Sequence, residues 1–168
     1  SRVIAFTSAL PEEGKTTSAL SFARILGMSG KRTLLIDCDL RKAGLIALAE
    51  VNPVAGLVEV LRGEATLKDA ICRDKADNVD LLVIKSKLFT AEDLFNTDAM
   101  KQLLDEVRAR YDVVLLDLPP VMGVADARTL AVAADSTIFI VRWGSTPPRA
   151  AETALSWLRG DEANVLGA

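Results

Sequence analysis

The 168-residue chain contains no histidine. That removes histidine general bases, Ser-His-Asp relays and His-ligated zinc together. It holds two cysteines, Cys38 and Cys72, too few for a disulfide framework or a four-thiolate metal site. Such sparing use points to a reducing compartment. There is one tyrosine, Tyr111. No apolar run approaches the ~18 residues that a membrane helix needs, and Ser1-Arg2-Val3-Ile4 lacks the layout of a signal peptide. Neither sign of charge dominates. Twenty basic and 23 acidic residues leave a net −3, which excludes nucleic-acid binding through bulk positive charge. With 50% apolar and 26% charged residues, the composition is that of a globular protein, not a disordered chain, a collagen or a coiled coil. The length suits about one domain, which buries roughly 70% of its unfolded surface without staples.

Five short apolar, β-branched runs are present, at 3–7, 33–37, 80–84, 112–117 and 137–142. Each is apolar almost throughout rather than alternating, as strands covered on both faces are. Helix-period stretches separate them, at 16–28, 97–110, 127–134 and 149–158. Gly27 and Gly30 are read as the stop of the first, and Pro147-Pro148 as the opening of the last. The expectation is an α/β fold of three layers, with a mostly parallel central sheet and helices on both faces. Residues 1–168 are read as a single nucleotide-binding domain that continues at both ends. Ser1 opens inside a strand, and 164–168 resembles the start of another.

The first strand runs into Ser8-Ala9-Leu10-Pro11-Glu12-Glu13-Gly14-Lys15-Thr16-Thr17, and a helix follows. Gly-Lys-Thr at a strand-to-helix junction is the P-loop arrangement. Glycine admits close approach of a phosphate, successive N–H groups cradle it, and the helix N-terminus adds positive potential. Lys15 reaches the β- and γ-phosphates, and the Thr16 hydroxyl ligates magnesium. The candidate ATP/ADP-binding set is Pro11, Glu12, Glu13, Gly14, Lys15, Thr16 and Thr17. Glu12 and Glu13 bring two carboxylates to a site for anions, a cost that is small only if they face solvent.

The second run ends Leu34-Leu35-Ile36-Asp37-Cys38-Asp39-Leu40-Arg41, and the fourth ends Leu115-Leu116-Asp117-Leu118-Pro119-Pro120. In a parallel sheet all C-terminal strand ends share one edge, where ligands bind. Lys15, Asp37, Asp39 and Asp117 are therefore expected to converge and form the candidate catalytic set. Asp117 suits a Walker B acid holding Mg2+. On an extended strand Asp37 and Asp39 share a face. They then position the ion, orient a nucleophile or accept its proton. Thr16, Asp39 and Asp117 are the candidate metal ligands. Cys38, flanked by acids, is a poor thiolate and is read as buried and structural. The loop is not Gly-x-Gly-x-x-Gly, so a dinucleotide-binding domain is rejected.

Three motifs together resemble those of the bacterial tyrosine kinases. FTSALPEEGKTT is similar to their Walker A, LLIDCDLRK to their Walker A′ and VVLLDLPPV to their Walker B. GLVEVLRGEATLKDAI and VADARTLAVAADSTIFIVRWGST follow in the same order. The resemblance implies a MinD/ParA-like P-loop NTPase fold, ATP/ADP and Mg2+ as cofactors, and tyrosine phosphorylation in capsule or exopolysaccharide production. It implies Thr17 at the α-phosphate, and Asp37 or Asp39 assisting deprotonation of the tyrosine hydroxyl. Only by this resemblance does Arg142, after the fifth strand, join the ATP/ADP-binding set. The implied partner is a membrane-spanning polysaccharide chain-length regulator, in the same or a separate chain. A homo-oligomer, the cytoplasmic face of the bacterial membrane and no nucleic acid complete the picture.

Some positions depart from the family. Arg41-Lys42-Ala43 lacks its proline, and KSKLFTAEDLFNT lacks its Gly and Asn-Pro. Its tyrosine-rich tail is missing, and Tyr111 reads as a packing residue. Two other functions thus stay open, a MinD/ParA-type ATPase and a non-catalytic nucleotide-sensing module. Those ATPases carry a lysine four residues before the glycine, where this chain has Leu10.

Overall fold

Apolar runs that are hydrophobic on both faces must be covered on both faces, and the chain does this with one sheet. The computed structural model describes residues 2–85 and 93–168. Its strands are β1 (Arg2–Ser8), β2 (Thr33–Asp37), β3 (Ile71–Arg73), β4 (Val79–Leu82), β5 (Val113–Asp117), β6 (Ser136–Ile140) and β7 (Val165–Gly167). Its helices are α1 (Lys15–Met28), α2 (Gly44–Ala49), α3 (Leu57–Leu61), α4 (Leu67–Ala70), α5 (Asp98–Arg110), α6 (Asp126–Ala133) and α7 (Pro148–Gly160). The strands form one sheet in the order β3-β4-β2-β5-β1-β6-β7. Every pairing is parallel except β3 with β4.

Alternate strand residues feed two cores. Phe6, Leu35, Leu81 and Leu115 pack with Ala19, Leu20 and Ala23 of α1 and Leu45 of α2. Val3, Ala5, Leu34, Ile36, Val114 and Leu116 face the other way, onto α3–α7. The three layers expected from the sequence are thus present, and all five apolar runs are strands. The 164–168 segment contributes β7, parallel to β6. Four elements were not anticipated: the three-residue edge strand β3 and the short helices α2, α3 and α4. Part of KSKLFTAEDLFNT, residues 86–92, lies outside the described residues.

Some boundaries move for local reasons. The β4 run was expected to reach residue 84. Val83 and Ile84 are indeed fully buried, but the Val83 carbonyl leaves the ladder to accept the Leu57 N–H at 2.8 Å, at the start of α3. Gly27 is not a helix stop. It lies inside α1, where a Cβ would stand 2.4 Å from the Asp77 carbonyl oxygen and 2.5 Å from Val79 Cγ2. Gly30, at φ +84, makes the turn after α1. The α5 ends follow expectation: the Thr97 hydroxyl caps Met100 N–H, Asp98 sits in the first turn and Arg108 and Arg110 in the last. Cys38 is fully buried. Tyr111 packs against the core, and its hydroxyl donates to Asp80 Oδ2 at 2.8 Å.

The close approach at Gly27 gives a test of how tightly α1 seats on the sheet. Gly27→Ala should destabilise the fold by about 1–3 kcal/mol, since the obstacle is backbone that must shift. Gly160→Ala, whose Cβ would meet nothing within 4 Å, should change it by less than about 0.5 kcal/mol. Thermal unfolding of both variants reads the difference; equal stability would show that α1 has room to move.

Candidate functional site

β1 lies in the sheet between β5 and β6, so the loop leaving it opens at the sheet edge where strand order reverses. Residues 9–14 form this loop. Gly14 caps α1 at φ +88, and a Cβ there would meet nothing. Glycine is required by the backbone conformation rather than by space. Glu12 is also left-handed, at φ +64.

Internal bonds hold the loop. Ser8 Oγ donates to the Leu10 carbonyl at 2.7 Å, and Leu10 N–H donates to Glu13 Oε2 at 3.1 Å. The Thr146 hydroxyl, on the turn after β6, donates to Glu13 Oε1. Arg142 Nη1 donates to the Glu12 carbonyl at 3.1 Å. These contacts resolve the paired acids. Glu12 is exposed, while Glu13 is buried with both oxygens engaged, folded back into the loop. The Glu13 side chain lines neither of the clefts described below. Its part in the candidate nucleotide-binding set is that of a brace.

The acids at the neighbouring strand ends separate into distinct roles. β2 and β5 are in register, with Asp37 opposite Asp117. β2 ends at Asp37, so the expected shared strand face of Asp37 and Asp39 does not form. Asp37 is fully buried. Its Oδ1 accepts Asp39 N–H at 3.0 Å and its Oδ2 accepts Leu45 N–H at 3.2 Å, closing the loop into α2. Asp39 reaches a cleft, and its Oδ1 accepts Lys42 N–H at 3.2 Å. Thr16 Oγ1 donates to Asp117 Oδ2 at 2.6 Å, which ties the first turn of α1 to β5. Asp117 Oδ1 is buried with no hydrogen-bond partner among the described residues. Segment 118–122 is pinned beside the phosphate loop: Thr7 Oγ1 donates to the Pro119 carbonyl at 2.8 Å and Val121 N–H to the Ser8 carbonyl at 2.8 Å.

Burial dominates the electrostatics. It lifts the Asp37 carboxyl to about 8, reinforced by the Asp117 charge and opposed by the two backbone N–H bonds. It lifts Asp117 to about 6, opposed by the Thr16 hydroxyl and the Lys15 ammonium. Burial and the surrounding acids push the Cys38 thiol well up, so no reactive thiolate is available there.

Two clefts open at this edge. One, of about 380 Å³, is lined by Gly14, Lys15, Thr16, Thr17 and Arg142. The other, of about 340 Å³, is lined by Asp39 and Arg41 and walled by Pro11, Pro119 and Pro120. Glu12, Lys15 and Lys42 line both. Of the residues expected from sequence, the loop residues Gly14–Thr17, Arg142, Asp39 and Asp117 thus meet at one edge, while Asp37 and Glu13 stand behind it as braces. Lys42 and Thr146 were missed. Lys42 directly follows the Asp-x-Asp-x-Arg run and was legible as a second basic residue there; Thr146 carries no local signal.

The donor set suits a hard divalent cation: hydroxyl and carboxylate oxygens, one of them buried and orphaned. Among the described residues no group of three or more His, Cys, Asp or Glu side chains could hold a metal alone. Magnesium fits this, because it is commonly held by one or two carboxylates together with phosphates and water.

A family model described as an AAA domain matches residues 1–146. The succinoglycan biosynthesis transport protein ExoP of Rhizobium meliloti is 42% identical over 89% of this chain, which spans only 19% of that protein. The tyrosine-protein kinase YwqD of Bacillus subtilis is 33% identical over 98% of this chain and 70% of its own length. The solved kinase domain of the Escherichia coli tyrosine kinase ETK superposes with a TM-score of 0.94, at 27% identity, over 99% of this chain and 66% of that one. The septum site-determining protein MinD of Pyrococcus horikoshii, solved with Mg-ADP, superposes at 0.78, with 25% identity over 98% of this chain and 68% of that one.

The facing carboxyls predict an unusual pH profile without metal. Asp37 and Asp117 bind protons more tightly folded than unfolded, so the stability they contribute is present below about pH 4 and is lost as pH rises towards 8. Asp74 and Asp135, held low by their arginine partners once desolvation is overcome, act oppositely and have made their contribution by about pH 5. In EDTA, stability should therefore fall from pH 5 to 8 by about 4 kcal/mol, read as a falling melting temperature. Asp117→Asn should flatten the fall. A profile flat in the parent chain would show the pair ionised at no cost.

Proposed function

This chain belongs to the bacterial tyrosine kinases, P-loop proteins of the AAA-domain family, and we propose that it transfers the γ-phosphoryl group of ATP to a protein tyrosine in exopolysaccharide production. The observation that carries this reading is the pair of clefts sharing Lys15 and Lys42: a phosphate-loop cleft on one side, and on the other a proline-walled cleft with Asp39 in it. Phosphoryl transfer needs a nucleotide and an acceptor brought in line across a cationic boundary.

In this reading the amides of Gly14–Thr17 and the Lys15 ammonium hold the phosphates, with Thr17 towards the α-phosphate and Arg142 at the mouth. Thr16, Asp39 and Asp117 hold Mg2+, which when bound neutralises charge developing on the β- and γ-oxygens. The flat walls of Pro11, Pro119 and Pro120 suit an aromatic ring, directing its hydroxyl towards Asp39. The tyrosine oxygen bonds to the γ-phosphorus as the bond to the β-bridging oxygen breaks. Asp39 accepts the hydroxyl proton and ADP leaves. Tyr111 is not the acceptor, since it is committed to Asp80 and its hydroxyl is pushed far up by burial and that bond.

The whole protein is proposed to work at the cytoplasmic face of the membrane as a homo-oligomer. Its partner is a membrane-spanning polysaccharide chain-length regulator, and it uses no nucleic acid. The succinoglycan transport relative, about a fifth of which this chain spans, supports that setting. Among the described residues no helix is long and apolar enough to cross a membrane.

Two substitutions divide binding from transfer. Lys15→Met should weaken MgADP and MgATP binding by about 10²-fold or more, because the phosphate loop loses its own cation. Wild-type affinity in calorimetry would defeat the phosphate-loop reading. Asp39→Asn keeps an acceptor for Lys42 N–H while removing the base. It should leave affinity for metal-free ADP within a few-fold and cut phosphate transfer to a tyrosine peptide by about 10²-fold or more. An unchanged rate would show Asp39 to be structural.

A further inference from the structure

Glu13 and Thr146 lie 133 residues apart, yet they close a hydrogen-bonded circuit behind the phosphate loop. Arg142 N–H donates to Thr146 Oγ1 at 2.9 Å, which directs the hydroxyl proton to Glu13 Oε1. Glu13 Oε2 accepts Leu10 N–H at 3.1 Å, and Arg142 Nη1 returns to the Glu12 carbonyl at 3.1 Å. The turn is closed on its own side by Ser145 and Thr146 N–H groups donating to the Arg142 carbonyl. Between these anchors stands Glu12 at φ +64, a conformation that non-glycine residues enter at a cost. Glu13 is only 7% exposed, so its carboxylate is committed to these partners rather than to water.

We propose that Glu13 and Thr146 are a positioning pair that locks the phosphate loop to the β6–α7 turn and sets the loop's affinity for nucleotide. The inference rests on the nucleotide site proposed above and adds its regulation by a distant turn. The circuit holds the strained Glu12 linkage in place, so the amides that follow are pre-arranged before any phosphate arrives. Both Glu13 oxygens accept, one from the loop and one from the turn. A glutamine could keep both links, its oxygen accepting Leu10 N–H and its amide donating to Thr146 Oγ1, whereas an alanine removes both. Coupling is reciprocal: a phosphate that fixes the loop fixes the turn, where Trp143 stands 98% exposed.

The test uses this chain with MgADP as probe. E13A and T146V should each weaken calorimetric affinity by about tenfold, the scale of one hydrogen bond. The double variant should be no worse than the weaker single one, and T146S should restore affinity to within about twofold of the parent. In a W157F background, which leaves Trp143 as the sole tryptophan, MgADP should shift the emission of the parent but not of E13A at saturation. Circular dichroism checks that each variant is folded. Wild-type affinity in both single variants, or losses that add in the double variant, would overturn the pairing. If the parent itself bound no nucleotide, the proposed function would fall, and amide exchange would then decide the pair without ligand. Faster exchange at Leu10 in folded T146V supports it; an unchanged rate overturns it.

Discussion

Two carboxylates buried side by side on adjacent parallel strands set the terms for this molecule. Asp37 and Asp117 occupy register positions across β2 and β5, each nearly or wholly shielded from water. Burying one charge is costly and burying two together costs more. The surrounding chain is organised around that cost. Two backbone N–H groups are turned onto Asp37, a hydroxyl from α1 onto Asp117, and the Lys15 ammonium is drawn inward beside them. One oxygen, Asp117 Oδ1, is left with nothing among the described residues. A structure selected only for stability would fill that position with an apolar side chain. An unpartnered carboxylate oxygen in that position suits a cation.

The same economy explains the loops. Asp37 spends both oxygens on the backbone that leads into α2, which leaves Asp39 to face the cleft. Glu13 spends both on the phosphate loop and the turn after β6. In each case an acid next to the anion site is neutralised by fixed backbone or hydroxyl donors rather than by a mobile cation. That leaves Lys15, Lys42 and Arg142 to line the clefts for a ligand.

The large elements could be read from the sequence because their signal is local. A doubly covered strand is a run of apolar residues, and α5 has its cap, its first-turn acid and its last-turn arginines all between Thr97 and Arg110. Three-residue β3 and the single-turn helices α2–α4 are too short to show a period and owe their form to tertiary contacts. The motif residues were legible as a set but not in their division of labour. Nothing in Asp-Cys-Asp reveals that the ladder stops at the first aspartate, and two successive glutamates look alike until one turns inward. Gly27 misled because a glycine near a helix end usually stops it; here the chain between β3 and β4, at Asp77–Val79, lies against it. Thr146 could not be found at all, since its partner is 133 residues away.

Charge balance argues for how the site is used. Around the clefts the cations are Lys15, Arg41, Lys42 and Arg142, and the acids are Glu12 and Asp39 with Glu13, Asp37 and Asp117 behind them. The acids outnumber the cations, though burial lifts one of them, Asp37, to about 8, so the ligand-free edge has little spare positive charge. A nucleoside triphosphate adds several negative charges, more than Lys15 and a helix N-terminus offset. In the proposed function, a divalent cation at the orphaned oxygen of Asp117 would offset that charge and favour the ionised form of the carboxyl. Nucleotide and metal would then be coupled through that buried carboxylate, each making the other's binding less costly. Asp39, in contact with the second cleft, is the acid proposed to act on an acceptor.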